Sequence, residues 1–121
     1  MYYGGGIYNV GTLSISNSTL SGNSARFGGA IYNAGMVTID SSTVSGNYAF
    51  HSDYPWSGGD GGGIFNDANG TVTVRNSSSI TGNTSDWLVG GLGPDVYNLG
   101  TIYRDGTSTI GSLAGNPAVL I

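Results

Sequence analysis

The chain has 121 residues, the length of one domain, and a formal net charge of −4 with only 8% charged residues. Every acid is Asp and every base is Arg, and with three bases and no basic cluster the chain lacks what phosphate binding needs, which argues against a nucleic-acid partner. There is no cysteine, so disulfides and thiolate metal sites are closed to it, and no apolar run reaches the roughly 18 residues of a spanning helix. Met1-Tyr2-Tyr3 shows no signal-peptide pattern, so for an exported chain the targeting segment is expected to have been removed or to lie outside this sequence.

The first element opens at Gly4-Gly5-Gly6-Ile7-Tyr8-Asn9. Leu13 and Ile15 then alternate with Thr12, Ser14 and Ser16, the period of two of a strand with one buried face. Leu20 marks a short second strand that ends at Ser21-Gly22-Asn23. The hexapeptide returns as Gly28-Gly29-Ala30-Ile31-Tyr32-Asn33, followed by Val37 and Ile39, then Val44 and Ser45-Gly46-Asn47. It returns again as Gly61-Gly62-Gly63-Ile64-Phe65-Asn66, with Val72, Val74, Ile80 and Thr81-Gly82-Asn83 behind it. A looser copy, Gly93-Pro94-Asp95-Val96-Tyr97-Asn98, leads into Thr101-Ile102-Tyr103. Gly, Asn and Ser bound each strand, as tight turns require.

Such self-similarity means one unit stacked on copies of itself. The fold class is all-β: a single-stranded parallel β-helix of about four coils, each with three short strands. One domain, 1–121, divides into coils at about 4–27, 28–60, 61–92 and 93–121, with insertions at 48–60 and 84–92. Inside, like residues should stack in rows: Ile7/Ile31/Ile64/Val96, Leu13/Val37/Val72/Ile102, Ile15/Ile39/Val74 and Leu20/Val44/Ile80. Asn9, Asn33, Asn66 and Asn98, and separately Asn23, Asn47 and Asn83, should form amide ladders at the corners. A Greek-key sandwich would not restart on the same hexapeptide.

The units GGAIYN…VTI…STVSGN resemble the repeats of bacterial surface proteins of the polymorphic outer-membrane-protein type. The resemblance implies a right-handed β-helix and an extracellular or cell-surface location. It implies no mechanism, because such scaffolds carry adhesins and exported passengers alike.

Insertions in a solenoid map to its corners, where site residues would sit. Residues 48–60 hold His51, Asp53, Asp60 and four aromatics, and residues 84–92 hold Asp86 and Trp87. Both follow the same corner, so they should lie side by side. Tyr48, Tyr54, Trp56 and Trp87 are the candidate ligand-binding residues, offering apolar ring faces with polar edges to a glycan. The plainer alternative is that these aromatics cover the solenoid flank. Tyr8, Tyr32, Phe65 and Tyr97 recur every coil and read as a structural stack. Gly58 to Gly63 lacks the repeated registers of a calcium cage, so no metal and no cofactor is expected. His51 has no evident second member, and Asp40 beside Arg75 reads as an exposed ion pair, so the chain is not expected to be an enzyme. A Thr-x-Thr ice-binding lattice is broken at Met36 and Tyr103.

The end of the chain, Pro117-Ala118-Val119-Leu120-Ile121, is apolar. Ala118, Val119, Leu120 and Ile121 are the candidate assembly contact, with capping of their own last coil as the alternative. The expected function is a structural surface solenoid self-associating end to end, or a filament subunit; an adhesin or carbohydrate-binding module of a larger surface protein is the alternative, and an ice-binding solenoid a remote one.

Overall fold

The computed structural model describes residues 2–51, 58–86 and 92–121. Each of the first three coils carries four strands. They are β1 Ile7–Asn9, β2 Thr12–Ser16, β3 Thr19–Leu20 and β4 Ser24–Ala25; β5 Ile31–Asn33, β6 Met36–Asp40, β7 Thr43–Val44 and β8 Tyr48–Ala49; and β9 Ile64–Asn66, β10 Thr71–Arg75, β11 Ser79–Ile80 and β12 Thr84–Ser85. The fourth coil has β13 Val96–Asn98, β14 Thr101–Arg104 and β15 Thr109–Ile110, and β16 Leu113–Gly115 with β17 Val119–Leu120 begins a fifth.

Every strand pairs in parallel with its counterpart one coil away. Four sheets therefore run along the axis: β1-β5-β9-β13-β16, β2-β6-β10-β14-β17, β3-β7-β11-β15 and β4-β8-β12. The parallel β-helix expected from the repeat is the observed architecture. The expected three strands per coil are corrected to four. The missed sheet, β4-β8-β12, has only two residues per strand, and its inner row is Ala25, Ala49 and Ser85. Small side chains leave no aliphatic signal there. The insertions accordingly begin two residues later than expected, after Ala49 and Ser85.

The two leading glycines of the repeat have separate causes. Gly28 has φ +70°, and a Cβ there would lie 2.1 Å from the Ile31 carbonyl oxygen. Gly29 has an ordinary φ, but a Cβ would meet the Gly62 carbonyl of the next coil at 2.1 Å. One glycine makes the turn and the other admits the neighbouring coil.

The core is a set of continuous rows. Ile31, Ile64 and Val96 are fully buried, as are Ile39, Val74, Val72, Ile80 and Ile102. Ile7, Leu13 and Leu20 on the first coil are only partly buried against them. Past Asn98 the helix tapers: the path from Val96 to its stacked partner Leu113 takes 17 residues against the 24 between Asn9 and Asn33. The fourth coil drops the fourth sheet, so residues 93–121 hold a short coil and the start of another rather than one coil.

Candidate functional site

The corner between the fourth and first sheets is where both insertions leave the helix. Phe50 N–H still bonds the Ala25 carbonyl and Asp86 N–H the Ala49 carbonyl, so the chain keeps coil register up to each departure. His51 pairs with Gly58 in a short antiparallel bridge that closes the first insertion at its base. Gly59 N–H then returns to the Arg26 carbonyl at 2.7 Å.

His51 Nδ1 contacts Asp86 Oδ2, one coil on. The expectation that His51 lacks a second member is corrected: stacking brings Asp86 to it across 35 residues. Asp60 Oδ1 accepts the Leu92 N–H at 2.9 Å, a second tie between the insertions. They do lie side by side at their described bases. Tyr48 faces outward on β8 and is partly exposed; desolvation and then the Asp86 charge raise its hydroxyl pKa. Desolvation also raises the Asp60 carboxyl, against the Leu92 N–H, which lowers it. Of the four candidate ligand-binding residues, Tyr48 is placed here; Tyr54, Trp56 and Trp87 lie outside the described residues. The pair engages the Nδ1 edge of the His51 ring and ties the base of the first insertion to the departure point of the second.

A larger aromatic surface lies on the outer face of the first sheet. Tyr8 and Tyr32 stack at 5.2 Å with planes 11° apart, and Tyr32 and Phe65 at 5.1 Å and 9°. Tyr97 meets Phe65 edge-on at 5.3 Å. A second column stands beside it, with Tyr3 stacked on Phe27 at 5.4 Å and Phe27 edge-on to Phe65. The expected Tyr8/Tyr32/Phe65/Tyr97 stack is therefore present and faces out of the core. Exposure is graded along it: Phe65 is 7% exposed and Tyr8 56%. Tyr32 donates its hydroxyl to Asp67 Oδ2 at 3.0 Å, and burial together with that carboxylate pushes its pKa up to about 12.

At the corner between the second and third sheets, Arg75 Nε donates to Asp40 Oδ2 at 2.9 Å, with Arg75 largely exposed. Asp40 also accepts from Asn76 Nδ2 and Ser41 Oγ, and these bonds hold its pKa low. Asp105 accepts the Asn76 N–H at 2.8 Å, which with the Ser108 and Thr107 donors takes it down to about 2. In water such charges contribute little to stability.

Three polar ladders run along the axis. Asn9 Nδ2 donates to Asn33 Oδ1, Asn33 to Asn66 and Asn66 to Asn98, at 2.8–2.9 Å. Asn23 donates to Asn47 and Asn47 to Asn83, each from backbone N–H as well as Nδ2. The third is a serine ladder absent from the sequence reading: Ser18 N–H to Ser42 Oγ, Ser42 N–H to Ser78 Oγ, Ser78 N–H to Ser108 Oγ, at 3.0–3.1 Å. Its signal was present, since each Ser precedes Thr or Ser and then Leu, Val or Ile. Among the described residues no buried side-chain polar atom lacks a partner.

Residues 17–34 match the Chlamydia polymorphic membrane protein repeat. That stretch runs from the Asn17 corner through β3 and β4, round the Gly28-Gly29 turn and along β5. No curated protein and no solved structure matches the chain. Among the described residues no helix is long and apolar enough to cross a membrane. Within a chain wound into a parallel β-helix, residues 17–34 are thus similar to one repeat of the Chlamydia polymorphic membrane protein.

Proposed function

We propose that this chain is a non-enzymatic structural solenoid displayed outside the cell, and that its end coils are contact surfaces through which it associates end to end. One observation carries the reading. The first and second sheets are open at both ends of the helix, at β1 and β2 and again at β16 and β17. Apolar side chains stand uncovered at each: Ile7 and Leu13 are only partly buried, while Val119, Leu120 and Ile121 are 49%, 63% and 62% exposed. Open strand edges of this kind template further pairing. The tail also covers its own coil, since β17 pairs with β14 and Ala118 packs against the core. Sedimentation velocity over a concentration series tests the reading, together with negative-stain microscopy. Mass should rise with concentration, and a chain truncated after Pro117 should stay folded and dissociate; a clean monomer at high concentration would overturn it.

An adhesin with a glycan ligand is the second reading. It is favoured by Tyr48 standing exposed beside the His51–Asp86 tie that holds the two insertions together. Glycan-array binding by the parent that is lost in Trp56→Ala and Tyr48→Ala would move this reading ahead of the structural one.

A further inference from the structure

The sequence holds four Asn-x-Ser/Thr tripeptides, Asn17-Ser18-Thr19, Asn69-Gly70-Thr71, Asn76-Ser77-Ser78 and Asn83-Thr84-Ser85, the pattern that N-linked glycosyl transfer reads. The fold sorts them by whether the side-chain amide can be reached. Asn83 is 5% exposed, and its Nδ2 donates to the Val44 and Thr81 carbonyls and to Asp95 Oδ1. Asn76 is exposed, but Asp40 Oδ1 holds its Nδ2 at 3.0 Å. Asn17 and Asn69 are exposed, and neither side chain makes a hydrogen bond among the described residues. Asn17 has a structural reason to be asparagine. It sits at φ +50° in the corner column it shares with Ser41 and Asn76, and Asn tolerates that left-handed conformation.

Asn69 has no such reason, since its φ is not positive. Its corner, Asp67-Ala68-Asn69-Gly70, joins β9 to β10 with four residues, where Val10-Gly11, Ala34-Gly35 and Leu99-Gly100 make the same connection with two. The amide ladder does not need the extra length. Asn66 Nδ2 closes on the Gly70 carbonyl as Asn9 and Asn33 close on Gly11 and Gly35. Gly70 N–H returns to the Asp67 carbonyl at 2.8 Å, so the added residues stand out as a hydrogen-bonded turn. Asp67 is engaged there by the Tyr32 hydroxyl, while Ala68 and Asn69 are exposed at the tip. Thr71 opens β10 on its outer face, alternating with the buried Val72. The amide and the hydroxyl of this tripeptide therefore both front on solvent. The corner lies on the third coil, with paired strands on both sides of it, so its exposure owes nothing to the coil ends.

We propose that Asn69 is an N-glycosylation site, open on the folded solenoid to a transferase that brings an activated sugar. In the transfer the bond from Asn69 Nδ2 to the sugar C1 forms as the bond from C1 to its phosphate breaks. The phosphate-bearing carrier leaves with the electron pair, and the amide proton passes to a carboxylate of the transferase. Thr71 Oγ1 is the hydroxyl the transferase reads. The donor is a sugar phosphoester, borne by a nucleotide or by a lipid. The glycan hangs from the corner beside the outer face of the first sheet and leaves the buried rows and the three ladders untouched.

The test is the intact mass of the full chain recovered from the cells that make it, with the site located by electron-transfer fragmentation of residues 27–75. A glycan on Asn69 is expected. A single hexose marks the nucleotide-borne donor, and a preassembled oligosaccharide the lipid-borne one. Thr71→Val should lose the adduct and Thr71→Ser should keep it, both chains being shown folded by circular dichroism. Asn69 found bare or only deamidated, an adduct that survives Thr71→Val, or a glycan on Asn83 instead would overturn the proposal. A glycosylated chain that stays monomeric refutes end-to-end association and keeps the site. A bare chain that assembles does the reverse.

Discussion

The stretch beginning at Gly28 and the stretch beginning at Gly93 start with the same turn and end differently. Gly93 has φ +59°, close to the +70° of Gly28, and Val96, Tyr97 and Asn98 stack in register on Ile64, Phe65 and Asn66. The departures fall where a following coil would make demands. Pro94 stands where Gly29 must admit the carbonyl of the next coil, Asp95 where Ala30 leaves room for the Asn ladder, and Arg104 where Ile39 and Val74 fill the core. A repeat thus encodes stacking in its recurring positions, and substitutions at those same positions thin what stacks next. Beyond Pro94, Asp95 and Arg104 the short strands β16 and β17 still pair, but the Asn ladders are not continued.

The sharpest way to break the comparison is within the stacking stretch. Ile39→Asp should unfold the domain, costing about 4 kcal/mol or more, because an unpaired charge enters a fully buried row. Thr38→Asp, whose side chain lies on the outer face of the same strand, should shift the thermal midpoint little; equal losses would place the register wrong. On the aromatic face, Phe65→Ala in mid-stack should cost about 3 kcal/mol. Tyr8→Ala at the exposed end should cost about 1 kcal/mol. Denaturant unfolding of the pair measures the gradient.

The closing stretch has its own lever. Asp95→Ala leaves Asn83 N–H and Ser112 N–H without their acceptor, while Asn83 Nδ2 keeps the Val44 and Thr81 carbonyls, and should cost about 2 kcal/mol by urea titration. Asp95→Asn, keeping one carbonyl oxygen, should cost less. The smallest effect is one of pH. Asp105 is held down at about 2, below its unfolded value near 3.9. Its contribution is therefore present above about pH 4 and lost as pH falls through 2. Stability measured between pH 4 and pH 2 should fall less steeply in Asp105→Asn than in the parent.

Much of this was legible because a solenoid repeats its signal. Ile7/Ile31/Ile64/Val96 and Leu13/Val37/Val72/Ile102 pair as the sequence spacing demands, and both Asn ladders stand where the corners put them. The fourth sheet was not legible, since Ala25, Ala49 and Ser85 bury without being large. Nor were Asp95 and Arg104: nothing in the sequence marks the one for an amide ladder or the other for an aliphatic row, and coil register alone places them there. His51 and Asp86 lie 35 residues apart and meet only because an insertion in one coil stands over the departure point in the next. Tyr48 was legible as an exposed aromatic. The remaining proposed ligand residues fall outside the described segments, so the loop reading rests on Tyr48 and the two ties beneath it.

Native-state hydrogen exchange resolved strand by strand tests the central claim most directly. Protection should be greatest in β5, β6, β9 and β10, fall sharply across β1 to β4, and remain high at the Asn83 and Ser112 amides that Asp95 closes. Equal protection at the first coil and in the middle coils, or rapid exchange at Asn83 and Ser112, would contradict a solenoid whose middle coils hold the buried rows and whose last Asn ladder is closed by Asp95.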